Sequence, residues 1–411
     1  MKIPLRAGLL AGLALVWPAV ALADPLTLDE AVHRAITASP GIAAREAGVR
    51  SAQAGRAQAD VRPNPVLSVE AENFAGTGPF SVLNQPETTV TYAQTIERGG
   101  KREARVAFAQ SDIAVARASA RLARLEIAEA VERAFVDAQI AQEVTWLAQQ
   151  RLTTEHQLQT EAVRRVRGYR DPLFVETQAL ARVTEAQLAL AEAQARQAAA
   201  QAHLASFWGD DGDTIELPRG IERPDRHDHG LADADTALAT AAIDRAQAAV
   251  TVEQTLATQD YTVSGGLRHL RESGDFAVLA GISIPLGRYD RNQGNIDRAR
   301  AERERIEWEA EAARLEGLRQ LANLRAEAEA ARLRADGIMQ DVYPHTQTAL
   351  AQVREGYNRG GFRFSDVQDA ADAINEVQAQ WVEAMTRYRD VLSRIDRLTG
   401  RFDAVAGEEL P

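Results

Sequence analysis

The side chains best suited to binding a metal lie in the acidic stretch "DRHDHG", which contains His227, Asp228 and His229. Imidazole and carboxylate groups are ligands that zinc and copper accept in proteins. The stretch lacks a third well-spaced histidine, and its Gly, Pro and Asp content is typical of a surface connector. His227 and His229 are therefore candidate ligands without a complete site, and we expect no cofactor.

A second group of polar residues surrounds the turn "RGYRDP" between two long helical patterns. Gly168 and Tyr169 end the first pattern, and Asp171 stands directly before Pro172. Asp followed by Pro is typical of a helix start, because the carboxylate accepts free N–H groups and proline fits the first turn. We therefore expect Asp171 to cap the helix that follows.

A matching turn, "NRGGFRFS", lies in the second half of the chain. We expect Gly360 and Gly361 to adopt the positive φ values of a tight helical turn, with Phe362 beside them. Ser365 and Gln368 have the spacing of a capping box that restarts a helix.

Charged residues cluster near both turns: Arg164, Arg165, Arg167, Arg354, Arg359, Asp366 and Asp369. Converging charges in a tube focus the electrostatic potential and can gate or select ions. The same residues can equally form a solvated helix surface. Asp366 and Asp369 are our candidates for acidic groups that line a gate.

Signatures of catalysis are missing from the sequence. There is no phosphate-binding Gly loop in a strand-to-helix unit, no G-x-S-x-G and no H-E-x-x-H. Cysteine is absent, which excludes thiol chemistry and disulfides. The net charge of -12 does not favour nucleic acid as a partner. We expect a protein that is not an enzyme.

The first 23 residues have the pattern of a cleaved secretory signal, with Lys2 and Arg6, an apolar run and the small-x-small ending Ala21-Leu22-Ala23. Most of the rest is rich in Ala, Arg, Glu, Gln and Leu, with apolar residues three and four apart, which indicates long amphipathic helices.

One structural unit is duplicated along the chain, each copy being a helix, a β-hairpin and a long helical hairpin. The first repeat is expected over 24–208, with a helix at 27–60, strands at 64–97 and the helical hairpin at 99–207. The second is expected over 232–400, with strands at 260–286 and the hairpin at 291–399, including a long helix at 291–356. A connector at 209–231 joins them, and a flexible tail follows at 401–411.

The four predicted strands are each about ten residues long, the length of a tilted strand that spans a membrane. Four strands cannot close into a barrel, and a bilayer tolerates no free sheet edge. Two chains would supply eight strands and three would supply twelve, which is wide enough for a water-filled lumen. The alternative is a small soluble sheet beside a helical bundle, as in a periplasmic coiled-coil scaffold.

Three segments resemble the TolC-type outer membrane factors, in particular their CzcC-like branch. "LTLDEAVHRAITASPGIAAREAGVRSAQAGRAQADVRPNPVLSVE" is similar to the opening helix and first strand of the family, "QTIERGGKREARVAFA" to a segment of that branch, and "GGFRFSDVQDA" to the tip of a helical hairpin. The resemblance covers essentially all of the chain after residue 23.

The resemblance implies a mostly α protein with a membrane β-barrel part, in which a homotrimer forms a 12-stranded barrel continued by a periplasmic α-helical barrel. It implies an outer membrane exit duct for heavy-metal cations, with a periplasmic adaptor and an inner membrane resistance-nodulation-division pump as partners. Drug efflux and type I protein secretion are the alternative cargoes. The residues near the two turns would then contact the adaptor and close the resting channel.

The strands are expected to pass into the long helices through glycine-rich junctions. In the first, Gly99 and Gly100 permit the sharp change of direction at low steric cost. In the second, Pro285 and Gly287 end the strand ladder and Gly294 opens the helix. Lys101 is expected to meet the phosphates of outer membrane lipid.

Overall fold

The computed structural model describes residues 25–81, 85–212, 215–218, 220 and 230–403. The predicted signal segment, His227, His229 and residues 404–411 lie outside this part of the chain.

The first repeat begins with a helix that is divided in two where the sequence predicted one helix at 27–60. Pro40 disfavours the helical conformation at Ser39, which breaks the helix, and the Ser39 hydroxyl accepts the N–H of Ile42 at 3.4 Å. The elements of the repeat are α1 (Leu28–Ala38), α2 (Pro40–Ala59), β1 (Val66–Glu72), β2 (Glu87–Ile96), α3 (Lys101–Arg167) and α4 (Phe174–Ala205).

The second repeat has the same order of elements, with one irregularity in its long helix. The elements are α5 (Asp233–Leu256), β3 (Tyr261–Leu270), β4 (Asp275–Ser283), α6 (Gln293–Gly337), a π-helical turn (Ile338–Val342), α7 (Tyr343–Arg359) and α8 (Phe364–Thr399). The path from α6 to α7 is continuous, as predicted, but the π turn was not predicted. Pro344 lies just after it, and proline removes one backbone donor from the helix.

The shorter helices lie end to end along the long ones. α2 and α4 pack on α3, and α5 and α8 pack on the α6–α7 path. α3 also contacts α5 and α8, which joins the two repeats. With 67 residues, α3 extends over roughly 100 Å. No helix in the described ranges is both long enough and apolar enough to cross a bilayer.

The main apolar core lies where α1, the middle of α3 and the end of α4 meet, and it includes residues predicted to be a flexible tail. Phe402 is 2% exposed within this core. Arg401 donates to the buried carboxylate of Glu132 at 3.2 Å and to Asp396 at 2.9 Å. The prediction was therefore wrong for 401–403, because an ion pair and an aromatic ring attach this segment to α3.

The four strands form one antiparallel sheet in the order β1-β2-β3-β4. Its register places Val69, Val90, Leu267 and Val278 side by side in one row across all four strands. These four side chains are 40–83% exposed. The adjacent row, on the opposite face, includes Glu70, Thr89 and Arg268. Register thus creates one apolar and one polar face.

The first junction between sheet and helix has the predicted glycine geometry. Gly99 and Gly100 have φ values of 72° and 75°. A Cβ added to Gly99 would lie 2.7 Å from Oγ1 of Thr258. Asp260 accepts the backbone N–H of Arg98 at 3.0 Å and pairs with the Lys101 ammonium at 2.8 Å. Lys101 thus pairs with Asp260 inside the junction, whereas the sequence predicted that it contacts lipid phosphate.

The second junction has the predicted placement but turns at a residue that the sequence did not single out. β4 ends at Ser283, Pro285 and Gly287 follow in the loop, and Gly294 is the second residue of α6. The left-handed residue is Asn292, with φ of 57°, and its side-chain amide donates to the backbone oxygen of Glu253 at 2.8 Å. Asn tolerates this conformation because its short polar side chain bonds locally.

Substitution of Gly99 by Ala should destabilise the subunit by about 1–2 kcal/mol or more, because a left-handed non-glycine residue is strained and its Cβ meets Thr258. Gly55→Ala is the matched control, since Gly55 lies in α2 with nothing near its Cβ. The control should gain roughly 0.5–1 kcal/mol. Thermal unfolding of the two purified variants would check this, and equal melting temperatures would contradict the account of the junction.

Candidate functional site at the helical tips

The two predicted turns lie side by side at the ends of the helical hairpins, away from the sheet. The first tip comprises 168–173, between α3 and α4, and the second comprises 360–363, between α7 and α8. A small apolar core supports both tips. Its members come from both repeats: Leu158, Ala162, Val175, Ala179, Tyr357, Phe364, Val367 and Ala371.

Three side chains join the tips, and we call them the tip lock: Arg165, Asp171 and Tyr357. The Arg165 guanidinium donates two hydrogen bonds to the Asp171 carboxylate, at 2.9 and 3.1 Å. The Tyr357 hydroxyl donates to the same carboxylate at 2.5 Å. Arg165 also donates to the backbone oxygen of Tyr357. Because Asp171 and Tyr357 belong to different repeats, the lock holds one hairpin against the other.

Asp171 is therefore not the helix cap that the sequence predicted. α4 begins at Phe174, and Leu173 is its first flanking residue. A carboxylate bound by both arms of a guanidinium forms a charge-assisted pair that is stronger than a single capping bond. The Asp171 side chain therefore bonds to Arg165, although the local sequence predicts that it caps α4.

Electrostatic interactions within the tip lock favour an ionised Asp171 carboxyl and a protonated Tyr357 hydroxyl, the forms that make these hydrogen bonds. The hydrogen bonds from Arg165 lower the pKa of the Asp171 carboxyl. Burial, followed by the hydrogen bond to Asp171, raises the pKa of Tyr357, so its hydroxyl stays protonated and donates. The Arg165 guanidinium lies 4.3 Å from the centre of the Tyr357 ring, a cation–π distance.

Two further ion pairs cross between the hairpins in the half nearest the tips. Arg354 of α7 pairs with Glu161 of α3. Arg182 of α4 pairs with Asp372 of α8 at 2.9 Å. With the tip lock, these pairs fix the hairpins of one subunit to each other at several levels along their length.

The second tip partly confirms the predicted turn chemistry. Gly360 has the expected positive φ, 89°, whereas Gly361 does not, so one left-handed residue suffices to end α7. α8 begins at Phe364, two residues earlier than a Ser365 cap requires. Asp366 then lies in its first turn and accepts the backbone N–H of Arg363 at 2.7 Å. Asp366 is thus a capping carboxylate, since negative charge is favourable at a helix N-terminus.

Large apolar side chains are exposed on both tips. Tyr169 is 98% exposed, Leu173 72%, Phe174 65% and Phe362 47%. The Phe362 ring lies over Gly356, where a Cβ would be 2.2 Å from it, so only glycine leaves room for the ring. Clustered exposed apolar groups indicate a protein contact surface. Leu173 and Phe174 were not singled out from the sequence, although their position after "GYRDP" was a usable signal.

The remaining candidates do not join this site. Asp369 is exposed on α8, and the junction glycines lie at the opposite end of α3 and α6. Within the described ranges, no group of three or more His, Asp or Glu side chains is arranged to hold a metal.

An apolar-faced sheet at one end of a long duplicated helical subunit, with paired and exposed tips at the other, defines the class of outer membrane channels. The outer membrane efflux protein family matches residues 31–210 and 231–401. The chain therefore belongs to this family. It is an outer membrane protein whose helices extend into the periplasm.

Relatives and solved structures agree with this assignment. The chain is 29% identical to the cobalt-zinc-cadmium resistance protein CzcC of Cupriavidus metallidurans, over 92% of this chain and 91% of that protein. It is 26% identical to the nickel-cobalt-cadmium resistance protein NccC of Alcaligenes xylosoxydans, over 71% and 69%. The fold matches the outer membrane protein VceC of Vibrio cholerae, with a TM-score of 0.72 at 22% identity over 90% and 95% of the chains.

Replacing Asp171 with Asn should loosen the tips. The change leaves Arg165, which is 8% exposed at its side chain, without its bidentate partner, at a cost of about 3 kcal/mol. The equilibrium for separating the tips should then shift by roughly 100-fold, which single-channel recording in planar bilayers would detect as a higher open probability. Glu355→Gln is the control on the same tip, because its pair with Arg359 is largely exposed and contributes little.

Acid should act on the same lock. A lowered pKa in the packed state means that the stabilisation by Asp171 is present above the ordinary Asp range and is lost as pH falls through the lowered value. Open probability attributable to the lock should therefore rise only below about pH 4. Asp171→Asn should remove that rise, and an acid response of equal size in this variant would contradict the assignment.

Proposed function

We propose that three copies of this protein form the outer membrane exit duct of a tripartite efflux system, which passively conducts heavy-metal cations from a periplasmic adaptor and a resistance-nodulation-division pump to the exterior. The observation that carries the proposal is the sheet, which has an exposed apolar face and two edge strands that are each paired on one side only. The chain is also related to metal-resistance proteins.

The edge strands support the trimer. β1 and β4 each have one neighbour within the chain. Inside a bilayer every backbone N–H and C=O needs a partner, so these edges require strands from other copies. Three copies supply twelve strands, with the apolar face toward lipid and the face of Glu70 and Arg268 toward an aqueous lumen.

The tips support the contact with an adaptor. In a trimer, two tips from each subunit form a ring of six at the periplasmic end of the helical tube. The exposed aromatic side chains of Tyr169, Phe174 and Phe362 offer an apolar surface for the adaptor. The tip lock beside them resists separation of the hairpins, so the same region is suited to closing the resting channel.

Cation transport agrees with the charge of the chain and with the names of its relatives. The net charge of -12 favours cations over anions in an aqueous tube. CzcC and NccC are named for resistance to cobalt, zinc, cadmium and nickel. A passive duct needs no tight metal site, because the inner membrane pump selects the cargo.

A deletion strain should become sensitive to zinc, cobalt, cadmium and nickel, while its tolerance of dyes and detergents should stay unchanged. Growth-inhibition assays across these compounds would measure both. Complementation with the wild-type gene is the control. Sensitivity to the organic compounds alone would overturn the cargo assignment in favour of drug efflux.

The trimer has its own test. The protein should be recovered in outer membrane fractions and should migrate on gels as a heat-modifiable trimer. Migration as a monomer under gentle extraction would contradict the shared barrel.

A further inference from the structure

A cavity of about 470 Å³ lies between α3, α7 and α8, in the half of the subunit nearest the tips. Its walls combine aromatic, amide and charged side chains, including Trp146, Glu155, Tyr343, Arg354 and Gln378. The wall on α3 belongs to the first repeat and the walls on α7 and α8 belong to the second, so the shape of the cavity depends on how the two hairpins pack together.

Glu155 is the unusual residue in the cavity wall. It is 4% exposed and lines the cavity, and the nearby charges that act on its carboxyl are those of Arg151, Arg182, Asp372 and Glu185. The charged groups that face it come from its own helix and from two others. They are already paired with each other: Arg151 with Glu185 at 3.6 Å, and Arg182 with Asp372 at 2.9 Å. These two arginines and two carboxylates balance, which leaves Glu155 as one acid in excess.

The α7 side of the cavity does not supply a positive counter-ion for Glu155 either. Arg354 faces the cavity but pairs with Glu161, and its guanidinium also donates to Gln157 at 3.2 Å. A buried carboxylate without a counter-ion is costly and is normally neutralised. A metal ion would need further acidic or histidine ligands, and Glu155 belongs to no such group in the described part of the chain. A proton is the ion that fits.

We propose that Glu155 is a proton-linked latch between the two hairpins of each subunit: it is protonated while the hairpins are packed together and ionises when they separate and water enters the cavity. The inference rests on the proposed duct, in which the hairpins must separate for the channel to open. It adds that opening releases one proton from each subunit.

The electrostatics agree with this cycle. Burial is the main influence on Glu155 and raises the pKa of its carboxyl, against the smaller lowering effects of Arg151 and Arg182. A carboxyl whose pKa is raised in the packed state favours that state at lower pH and opposes it as pH rises through the raised value. Asp171 has the reverse dependence, so the two acids act in separate pH ranges.

The backbone provides a point for the movement. The π turn at 338–342 ends directly before Tyr343, a residue of the cavity wall. π turns interrupt the regular hydrogen-bond ladder and occur frequently at functional sites. α7 can therefore change direction relative to α6 at the level of the cavity while α6 remains packed on α5.

The test uses the absence of cysteine from the chain, which makes any introduced thiol unique. Ala371 is 5% exposed and lines the cavity, so Ala371→Cys reports its opening through labelling by a water-soluble maleimide. Labelling of Tyr169→Cys, at a fully accessible tip position, corrects for the pH dependence of the thiol itself. Both reporters are measured in the purified full-length protein, so no cargo or partner is needed.

Corrected labelling of Ala371→Cys should rise as pH increases through the raised pKa of Glu155, by up to about tenfold per pH unit. Adding Glu155→Gln, which imitates the protonated acid, should abolish the rise and keep labelling slow. Glu192→Gln, an exposed site on α4, is the control and should leave the rise unchanged.

An unchanged rise in Glu155→Gln would overturn the latch, and so would corrected labelling of the parent reporter that does not depend on pH. The second result can be obtained without any Glu155 variant, so misfolding of that variant does not decide the matter. Because labelling detects hairpin separation alone, failure here leaves the proposed metal cargo untouched, and an incorrect cargo leaves this result untouched.

Discussion

The backbone hydrogen bonds of the sheet edges are the constraint on which the molecule depends. The described part of each chain has four strands, with β1 and β4 at the edges, and an apolar face that is exposed to its surroundings. An apolar face suits lipid, but edges with unpaired N–H and C=O groups are costly there. In the proposed trimer, strands from other copies pair with these edges. The tight junction at Gly99 and Gly100 joins β2 to α3 with no room for a long loop.

Near the tips, the helical hairpins are joined by a small shared apolar core and by ion pairs such as Arg182 with Asp372. Such pairs can break without exposing a large apolar surface, which suits a structure that opens. Asp171 favours the packed hairpins in its ionised form, and in the proposed latch Glu155 favours them in its protonated form. The two acids thus give the same contact opposite pH dependences.

Local patterns predicted the elements of this fold but not the contacts between them. The duplicated order and the left-handed glycines at 99 and 100 follow from periodicity and from residue types that restrict the backbone. The bond from Tyr357 to Asp171 could not be predicted in this way, because the two residues are 186 positions apart in sequence. The π turn and the role of Asn292 were missed for a related reason: packing against neighbouring helices selects among conformations that the local sequence permits.

The packing of 401–403 has a consequence for truncated forms of the protein. Phe402 enters the core formed by α1 and α3, and Arg401 reaches Glu132 in the middle of α3. The first repeat therefore completes its interior only with residues that follow the whole second repeat in sequence. A fragment that ends before residue 401 would leave this part of the core open.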